Sequence, residues 1–288
     1  MSAGVDGLDH IGIATPDLAA TAAAYIRLGF RLAPLAQQSG PLTPGGPVTR
    51  WGSGNRCIML RRGYVELIGL VEPGLYDNGL GAFLARYAGI HILAFGVADA
   101  AAQLPRLRAA GLDVGGIRPM QRPTATPIGE GLARFKRIPI ADAPAGRIQL
   151  IEHETPELLW QAHLLEHENR AVALAETVLC VADLEASLDR LSRLTGIEPA
   201  RQGAARIFNF ASGRLVLCNS AGAARFVPGA APPLLPWFAG FTVTTADGNE
   251  AARAVLARNA VRFTKHDGAL VVPPGAAGGA TCIFRIER

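Results

Sequence analysis

One pattern, a strand followed by a helix and further strands, recurs four times along the chain of 288 residues. In the first copy, residues 8–30, an apolar run leads to Asp17, and an alanine-rich helical pattern follows and ends at Gly29. Aspartate is a favoured helix N-cap, and glycine is favoured just beyond the last helical turn. The same order returns near residues 90, 176 and 238, where Asp99, Asp183 and Asp247 begin the helical patterns. A fourfold repeat limits the chain to architectures built from one small unit.

Each helical pattern is followed by segments that alternate apolar and polar residues and turn at glycines, which is typical of short strands. The unit is therefore βαβββ. Such a unit cannot cover both faces of its small sheet, so we expect units to pair around a shared concave surface. The predicted fold class is α+β, with four βαβββ modules paired into two half-open barrels. A parallel α/β sheet is disfavoured because parallel units return to a helix after every strand.

The predicted domains are an N-terminal barrel over 5–154, a linker helix over 155–172 and a C-terminal barrel over 173–288. Thr155 as N-cap and Pro156 at the first helical position favour the linker helix. His153, His163 and His167 lie around this segment. A spacing of four places His163 and His167 on one helix face, where they could hold a second metal. We prefer the simpler interpretation of surface histidines.

Composition and charge limit the classes of partner that the chain is expected to bind. The net charge is +4 and the pI about 9.1, with arginines scattered singly, so nucleic-acid binding is not expected. The start of the chain lacks a signal-peptide pattern and no segment is apolar enough to span a membrane, so we expect a soluble, cytoplasmic protein without a membrane partner. The four cysteines are predicted to be buried free thiols. No glycine-rich phosphate loop supports a nucleotide cofactor, and homodimerisation is left open.

Two histidines at the starts of equivalent strands indicate a metal site in the first barrel. His10 lies in DHIGIA and His91 in GIHILAF, while Glu66 and Gln149 lie in the last strands of the first and second units. Paired units would bring these four side chains into one cavity. Two imidazoles, a carboxylate and an amide oxygen suit a divalent ion, namely Zn, Ni, Mn, Co or Fe(II).

The segments DHIGIATPDL, GYVELI and GIHILAF resemble the vicinal-oxygen-chelate superfamily, which includes glyoxalase I, bleomycin-resistance proteins and extradiol dioxygenases. The chain is similar to its glyoxalase-like members. Carried over strand by strand, the glyoxalase pattern implies metal ligands at His10, Glu66, His91 and Gln149. That family has a glutamate, which also transfers protons, where this chain has Gln149. An amide cannot serve as a base at neutral pH, so Glu66 or Glu152 is the candidate catalytic base.

Strand alternation bears on which of these side chains faces the cavity. Gln149 and Glu152 are separated by an odd number of residues, so in a regular strand they face opposite sides. We favour Gln149 as the inward residue. Arg56 and Arg137 lie in strands beside the predicted cavity and are candidates to bind a carboxylate or phosphate of a substrate. Segments 36–49 and 119–131 are expected to form loops at the cavity mouth.

The second half lacks the same set. Aligned unit to unit, the predicted ligands His10, Glu66, His91 and Gln149 become Glu176, Val216, Ala239 and Cys282. The C-terminal barrel is therefore expected to be degenerate. Extradiol dioxygenases carry their iron site in the second barrel, which counts against that activity.

The leading hypothesis is a metal-dependent lyase or isomerase of the glyoxalase and epimerase type. Its small, oxygen-rich substrate would chelate the ion through adjacent oxygens. A metal-free small-molecule binding protein, as in the bleomycin-resistance relatives, is the first alternative. An Fe(II)-dependent extradiol-type dioxygenase is the second.

Overall fold

A computed structural model describes residues 4–43, 46–141 and 143–287. The described part of the chain contains sixteen strands and six α-helices. The chain is mixed α+β and mostly strands, as predicted, and every one of the four units has the order βαβββ.

The first half of the chain holds two units separated by a short extra helix. The first unit consists of β1 (Gly7–Ala14), α1 (Leu18–Arg27), β2 (Ala36–Pro41), β3 (Val48–Met59) and β4 (Tyr64–Leu70). The extra helix is α2 (Leu80–Leu84). The second unit consists of β5 (Gly89–Gly96), α3 (Ala100–Ala109), β6 (Arg118–Thr126), β7 (Gly129–Ile140) and β8 (Arg147–His153).

The second half repeats this arrangement, including the extra helix. The third unit consists of β9 (Ala171–Cys180), α4 (Leu184–Thr195), β10 (Ala200–Gln202), β11 (Ala205–Asn209) and β12 (Arg214–Cys218). The extra helix is α5 (Ser220–Phe226). The fourth unit consists of β13 (Trp237–Thr245), α6 (Glu250–Arg258), β14 (Thr264–His266), β15 (Ala269–Val272) and β16 (Thr281–Ile286).

All sixteen strands belong to one sheet, in which β5 pairs with β13 between the halves, and each half contributes eight strands in the same order. In the N-terminal half the order is β2-β3-β4-β1-β5-β8-β7-β6, and in the C-terminal half it is β10-β11-β12-β9-β13-β16-β15-β14. First strands pair antiparallel with each other at the centre, and each pairs parallel with the last strand of its own unit. No ladder joins the described parts of β2 and β6, so the N-terminal barrel is half-open.

The helix ends follow the aspartate and glycine signals. Asp17, Asp99 and Asp183 each accept hydrogen bonds from backbone N–H groups of the first turn, which satisfies donors that the helix itself leaves free. The residue with positive φ after α6 is Ala260, and Asn259 stays at φ −88°. Ala260 therefore holds after α6 the left-handed position that a glycine holds after α1.

Two β-bulges interrupt the central pair of the N-terminal barrel. At one end of the ladder, Leu8 pairs with Phe95 and His10 pairs with Ala94, so Asp9 is left without a partner. At the other end, Gly12 pairs with Ile92 and Ile13 pairs with Ile90, so His91 is left without a partner. Asp9 and His91 are therefore the extra residues. Counted back from the helix caps Asp17 and Asp99, these two bulge residues are equivalent, and the equivalent of His10 is Ile92.

The segment predicted as a linker helix contains two short 3₁₀ turns, Pro156–Leu158 and Ala162–Leu164, and no α-helix. Leu159 and Leu164 lie buried against Met59 and Tyr64 at one end of the N-terminal barrel. This apolar packing competes with helix formation, because the segment gains more by filling the barrel end than a short helix would gain alone. The linker therefore closes that end of the barrel.

The largest buried apolar cluster lies between the helices and the outer faces of both halves of the sheet, and it includes Ile11, Phe95 and Phe241. Among the described residues, no helix is long and apolar enough to cross a membrane. The concave faces of the sheet are turned away from this cluster, and that of the N-terminal half carries polar side chains.

Candidate functional site

The concave face of the N-terminal barrel encloses a cavity of about 80 Å³. His10, Glu66 and Gln149 all line it, and each is less than a tenth exposed. Their neighbouring strands explain the convergence: Glu66 pairs with Gly12 on one side of the centre, and Gln149 pairs with Ala94 on the other. A volume of this size admits a few water-sized groups.

His91 does not join these three residues. Its ring is stacked between Phe83 and Tyr87, with centroid distances of 5.0 and 4.0 Å, and its Nε2 donates to the Tyr87 carbonyl at 2.8 Å. The bulge makes Ile92 the residue that lines the cavity at this level. A slip of one residue moves a strand side chain to the other face, so the predicted convergence of His91 with His10 is wrong.

His10 is held by a carboxylate that also holds a second histidine. His10 Nδ1 lies 2.6 Å from Asp9 Oδ1, and His153 Nε2 lies 2.9 Å from Asp9 Oδ2. The proton on Nδ1 leaves Nε2 of His10 as an acceptor directed toward the Gln149 amide, 3.5 Å away. Stacking on Tyr64 at 4.4 Å fixes the plane of the His10 ring. His10 therefore presents one defined nitrogen to the cavity.

Asp9 stays ionised in this buried position. Burial alone would raise its pKa, but the charges and hydrogen bonds of His153 and His10 outweigh it and hold the pKa of Asp9 well below its usual range. An ionised Asp9 stabilises the donor tautomers of both histidines. The chain His10–Asp9–His153 is thus a fixed element of the site.

Glu66 is positioned by a network from the opposite wall. Asn55 Nδ2 donates to Glu66 Oε1 at 2.5 Å, and Arg122 donates to Asn55 Oδ1 at 3.1 Å. Burial alone would lower the pKa of Arg122, but the nearby Cys57, Tyr64 and Glu66 outweigh burial and raise this pKa. The network orients the carboxylate of Glu66 and leaves Oε2 without a fixed partner among the hydrogen bonds described here.

Arginines outnumber carboxylates in the cavity wall. The charged lining residues are Glu66, Arg122, Arg137 and Arg147. Burial, together with the neighbouring Arg147 and Arg118, lowers the pKa of Arg137 to about 10, and burial lowers the pKa of Arg147. Arg147 donates to the Asn78 carbonyl at 2.6 Å, whereas Nε of Arg137 is buried without a partner among the described residues. Crowded, poorly compensated guanidinium groups create a strong demand for an anion.

Two predicted site residues face away from the cavity. Glu152 accepts from the backbone N–H of Ala100 and from Lys136 Nζ, both at 2.7 Å, so it caps α3. Arg56 donates to the Ala33 carbonyl at 3.0 Å on the outer side of β3. Glu152 as the catalytic base and Arg56 as a substrate ligand are therefore wrong, because each occupies the outward position of its strand.

The predicted mouth segments are strands rather than loops. Apart from residues 44 and 45, which lie outside the described part, segment 36–49 contains β2 and the start of β3, and segment 119–131 contains β6 and the start of β7. Gln38, Ser39 and Met120 from these hairpins line the cavity. Paired backbones give the mouth a defined shape that a loop would not have.

The three histidines near the linker have separate surroundings. His153 belongs to the cavity, and His163 is exposed. His167 accepts from the N–H of Arg31 at 3.0 Å and donates to the Met59 carbonyl at 2.8 Å, which satisfies both ring nitrogens. Because no helix forms, His163 and His167 do not share a helix face.

The donors that remain in the cavity are few for a divalent ion. No group of three His, Cys, Asp or Glu side chains within residues 4–43, 46–141 and 143–287 could hold a metal. The candidate set therefore depends on an amide, with His10 Nε2, Glu66 and Gln149 Oε1 as donors. Gln149 Oε1 is buried without a partner in the described structure, and the Asp9 contact to His10 is typical of metal-binding histidines. One imidazole, one carboxylate and one amide oxygen fit a three-ligand site with positions left for substrate.

The C-terminal barrel confirms that the site was not duplicated. Strand registers give the equivalents of His10, Glu66 and Gln149 as Glu176, Val216 and Ile283. The Cys282 expected in place of Gln149 is off by one residue. Val216 and Ile283 belong to an apolar cluster that fills this level of the barrel. The cavity is therefore specific to the N-terminal half.

Sequence reasoning missed Asp9, His153, Asn55, Arg122 and Arg147. The sequence DHIGIA does carry a signal, because an acidic residue directly before a cavity histidine could reach the ring nitrogen if a bulge intervened. The remaining four residues come from three strands, β3, β6 and β8, and their convergence depends on the curvature of the barrel.

Comparisons with known proteins agree with this architecture. The sequence matches the family model described as a glyoxalase-like domain over residues 8–204, about two thirds of the chain. A hypothetical protein from Staphylococcus aureus is 11% identical, with a TM-score of 0.66 and coverage of 98% of this chain and 99% of that chain. A mutant of 4-hydroxymandelate synthase from Streptomyces coelicolor is 12% identical, with a TM-score of 0.55 and coverage of 98% and 93%.

A third solved structure, a xylose isomerase-like TIM barrel/4-hydroxyphenylpyruvate dioxygenase fusion protein, is 14% identical with a TM-score of 0.57, and the match covers 100% of this chain and 50% of that chain. No curated protein matches the sequence. Identities this low show a shared fold and nothing finer. The family match and the paired βαβββ units together establish that the chain belongs to the glyoxalase-like domain family of the vicinal-oxygen-chelate superfamily.

Proposed function

We propose that the N-terminal cavity is the active site of a lyase or isomerase that moves a proton on a small, anionic, oxygen-rich substrate. The observation that supports this most is the charge of the cavity wall, where three arginines face a single glutamate. A small substrate with a carboxylate or a phosphate would supply the missing negative charge.

Arg137 and Arg147 are the groups that would bind the anion. Arg147 lies close enough to Arg137 to lower the pKa of Arg137, and the buried Nε of Arg137 has no partner in the described structure. Guanidinium groups bind carboxylate and phosphate oxygens in pairs, which fixes the orientation of a substrate as well as its position. The reacting carbon would then lie toward Glu66 and His10.

Glu66 is the group that would accept and return the proton. Asn55 orients its carboxylate through a 2.5 Å hydrogen bond, which reduces the cost of holding it in a reactive geometry. His10, oriented by Asp9, would act on the substrate oxygens through a metal ion bound at Nε2. These roles divide proton transfer and oxygen binding between two sides of one cavity.

A divalent ion is part of the proposal, since members of the superfamily typically use one. His10 and Gln149 would hold it together with Glu66, which would be displaced from the ion when it accepts the proton, and Zn, Ni, Mn, Co or Fe(II) suits these donors. When bound, the ion would polarise the substrate oxygens and stabilise negative charge that develops on them.

One observation favours a second candidate, binding without chemistry. Ile92 stands where a second imidazole would be needed, and one fewer ligand weakens a metal site. The same replacement counts against an Fe(II) dioxygenase, because a facial triad requires two histidines and a carboxylate. The fold that the chain shares with the 4-hydroxymandelate synthase and the dioxygenase fusion protein therefore carries no activity over to it.

Proton transfer can be tested by solvent exchange. Small 2-oxo and 2-hydroxy acids and their phosphorylated analogues are incubated with the protein in D₂O with each divalent ion, and ¹H NMR follows the hydrogen next to the carbonyl or hydroxyl carbon. We expect exchange of at least one substrate, abolished in Glu66→Gln. Glu152→Gln is the matched control, since that carboxylate faces away from the cavity, and its exchange rate should be close to that of the wild type. Binding without exchange would favour the second candidate, and equal losses in both variants would contradict the role of Glu66.

A further inference from the structure

The C-terminal barrel has a groove of its own. It lies on the concave face, at the end opposite to the level that corresponds to the N-terminal cavity. Its volume is about 590 Å³, and its lining includes Glu176, Arg214, Thr244 and Arg285. None of its lining residues belongs to the N-terminal cavity. The groove is therefore a separate feature and not a degenerate copy of the site described above.

The two barrels differ at this level because different segments fill them. In the N-terminal barrel, the linker residues Leu159 and Leu164 close this end against Met59 and Tyr64. Strand registers give the C-terminal equivalents of Met59, Tyr64 and Ile151 as Asn209, Arg214 and Arg285. Three apolar or aromatic positions have thus become polar or charged where the linker plug is absent. The groove is lined to meet water or a polar ligand.

One ion pair forms the floor of the groove. Arg214 donates to Glu176 Oε2 through both Nε and a terminal nitrogen, each at 2.6 Å, and Thr242 lies 3.4 Å from Oε1. The side chain of Glu176 is 3% exposed and that of Arg214 is 42% exposed, so the carboxylate is buried while the guanidinium borders the groove. Because Glu176 neutralises Arg214, the positive charge that a ligand could bind must come from other arginines of the groove.

Two other arginines supply that charge. Nε of Arg285 and Oγ of Thr244 are buried, and neither has a hydrogen-bond partner among the described residues. Arg225, on α5, borders the same groove with its guanidinium 6.0 Å from the ring of Phe226. Arg62 at the rim is paired with Glu287, and Asp267 is the remaining acidic lining residue, with a side chain that is 81% exposed. The inner wall therefore offers unpaired donors and no unpaired acid.

We propose that this groove is a second ligand site, in which Arg285, Arg225 and the Thr244 hydroxyl bind an oxyanion group of a small metabolite. A buried guanidinium nitrogen and a buried hydroxyl without partners are costly, and an oxyanion satisfies both. The planar fork of Arg285 suits carboxylate and phosphate oxygens alike. This proposal does not depend on the function proposed for the N-terminal cavity.

Calorimetric titration of the full chain at low ionic strength tests the proposal, with inorganic phosphate and citrate as separate probes. Arg285→Met removes the donor fork and is expected to weaken binding at this site about 10- to 100-fold. Arg253→Met is the matched control, because Arg253 lies exposed on α6 away from the groove, and it should leave the affinity unchanged. Arg137→Met distinguishes binding in the two barrels, because it should affect only anions bound in the N-terminal cavity.

Binding of phosphate alone would assign a phosphorylated metabolite, and binding of citrate alone would assign a polycarboxylate. If Arg285→Met is unstable, Arg225→Met carries the test, since that side chain is exposed and its loss leaves the core intact. The proposal is overturned if neither probe binds the wild type at millimolar concentration. It is also overturned if Arg285→Met and Arg225→Met bind both probes as tightly as Arg253→Met does.

Discussion

Replacement of His91 by phenylalanine tests whether this histidine is a buried structural residue. Its side chain is 0% exposed, and burial lowers the pKa of His91 from its ordinary value of 6.5 to about 4. Nε2 donates to the Tyr87 carbonyl, so protonation would add a second donor at Nδ1, which is buried without a partner in the described structure. The ring is therefore neutral in the folded state at pH values where the unfolded chain would bind a proton.

The sign of the pH dependence follows from this difference. Because the folded pKa lies below the unfolded one, the unfolded state binds more protons between pH 6.5 and 4, and the free energy of unfolding falls as pH falls through that window. A shift of this size is worth about 3 kcal/mol, and allowance for partial solvent screening reduces it to about 2 kcal/mol. Above pH 6.5 the contribution is fully present.

His91→Phe should keep the stacking between Phe83 and Tyr87 but remove the titration. The unpaired Tyr87 carbonyl should cost about 1 kcal/mol at every pH. Urea unfolding at pH 7 and pH 4.5 measures both effects. We expect the wild type to lose about 2 kcal/mol more than the variant between these pH values. His163→Gln, at an exposed position, is the control and should behave as the wild type. Equal losses in the wild type and His91→Phe would refute the assignment.

Three further predictions concern stability. Arg137→Met should raise the free energy of unfolding by about 1–2 kcal/mol in anion-free buffer, because it removes a buried charge beside Arg147; a loss in urea unfolding would contradict this. Gly146→Ala should lower the free energy of unfolding by about 3 kcal/mol or more, because residue 146 has φ +147° and the new Cβ would lie 2.3 Å from the His91 carbonyl oxygen. Gly116→Ala, whose Cβ would meet open space, should change thermal stability little. Asp183→Ala should cost about 1 kcal/mol by removing the N-cap of α4, and an unchanged melting temperature would speak against that cap.

The fold was predictable because its signals are local and repeated. The helices of the first three units are each preceded by a capping aspartate, and each group of strands shows period-two alternation. Repetition multiplies weak signals, so errors of one or two residues at an element end do not change the architecture. The linker helix failed for the opposite reason, since it occurs once and its conformation is set by the barrel end that Leu159 and Leu164 fill.

The site was harder to predict because it depends on strand register. His91 falls on a bulge that the sequence does not announce, and one extra residue was enough to remove it from the cavity. Glu152 and Gln149 were distinguished by simple alternation, because β8 is regular there. The anion-binding character came from Arg122, Arg137 and Arg147, which lie on three strands and meet only through barrel curvature. Of these, the sequence interpretation included Arg137 alone.

The central claim is that the N-terminal cavity binds an anionic substrate through Arg137 and Arg147. Oxalate, a dianion with adjacent oxygens, is the most direct probe, titrated calorimetrically with a divalent ion in the Arg285→Met background so that the second groove does not contribute. We predict that Arg137→Met and Arg147→Met each weaken binding by about tenfold or more, while Arg56→Met, whose side chain faces away from the cavity, leaves it unchanged. Oxalate binding that is absent, or that responds equally to all three substitutions, would contradict the claim.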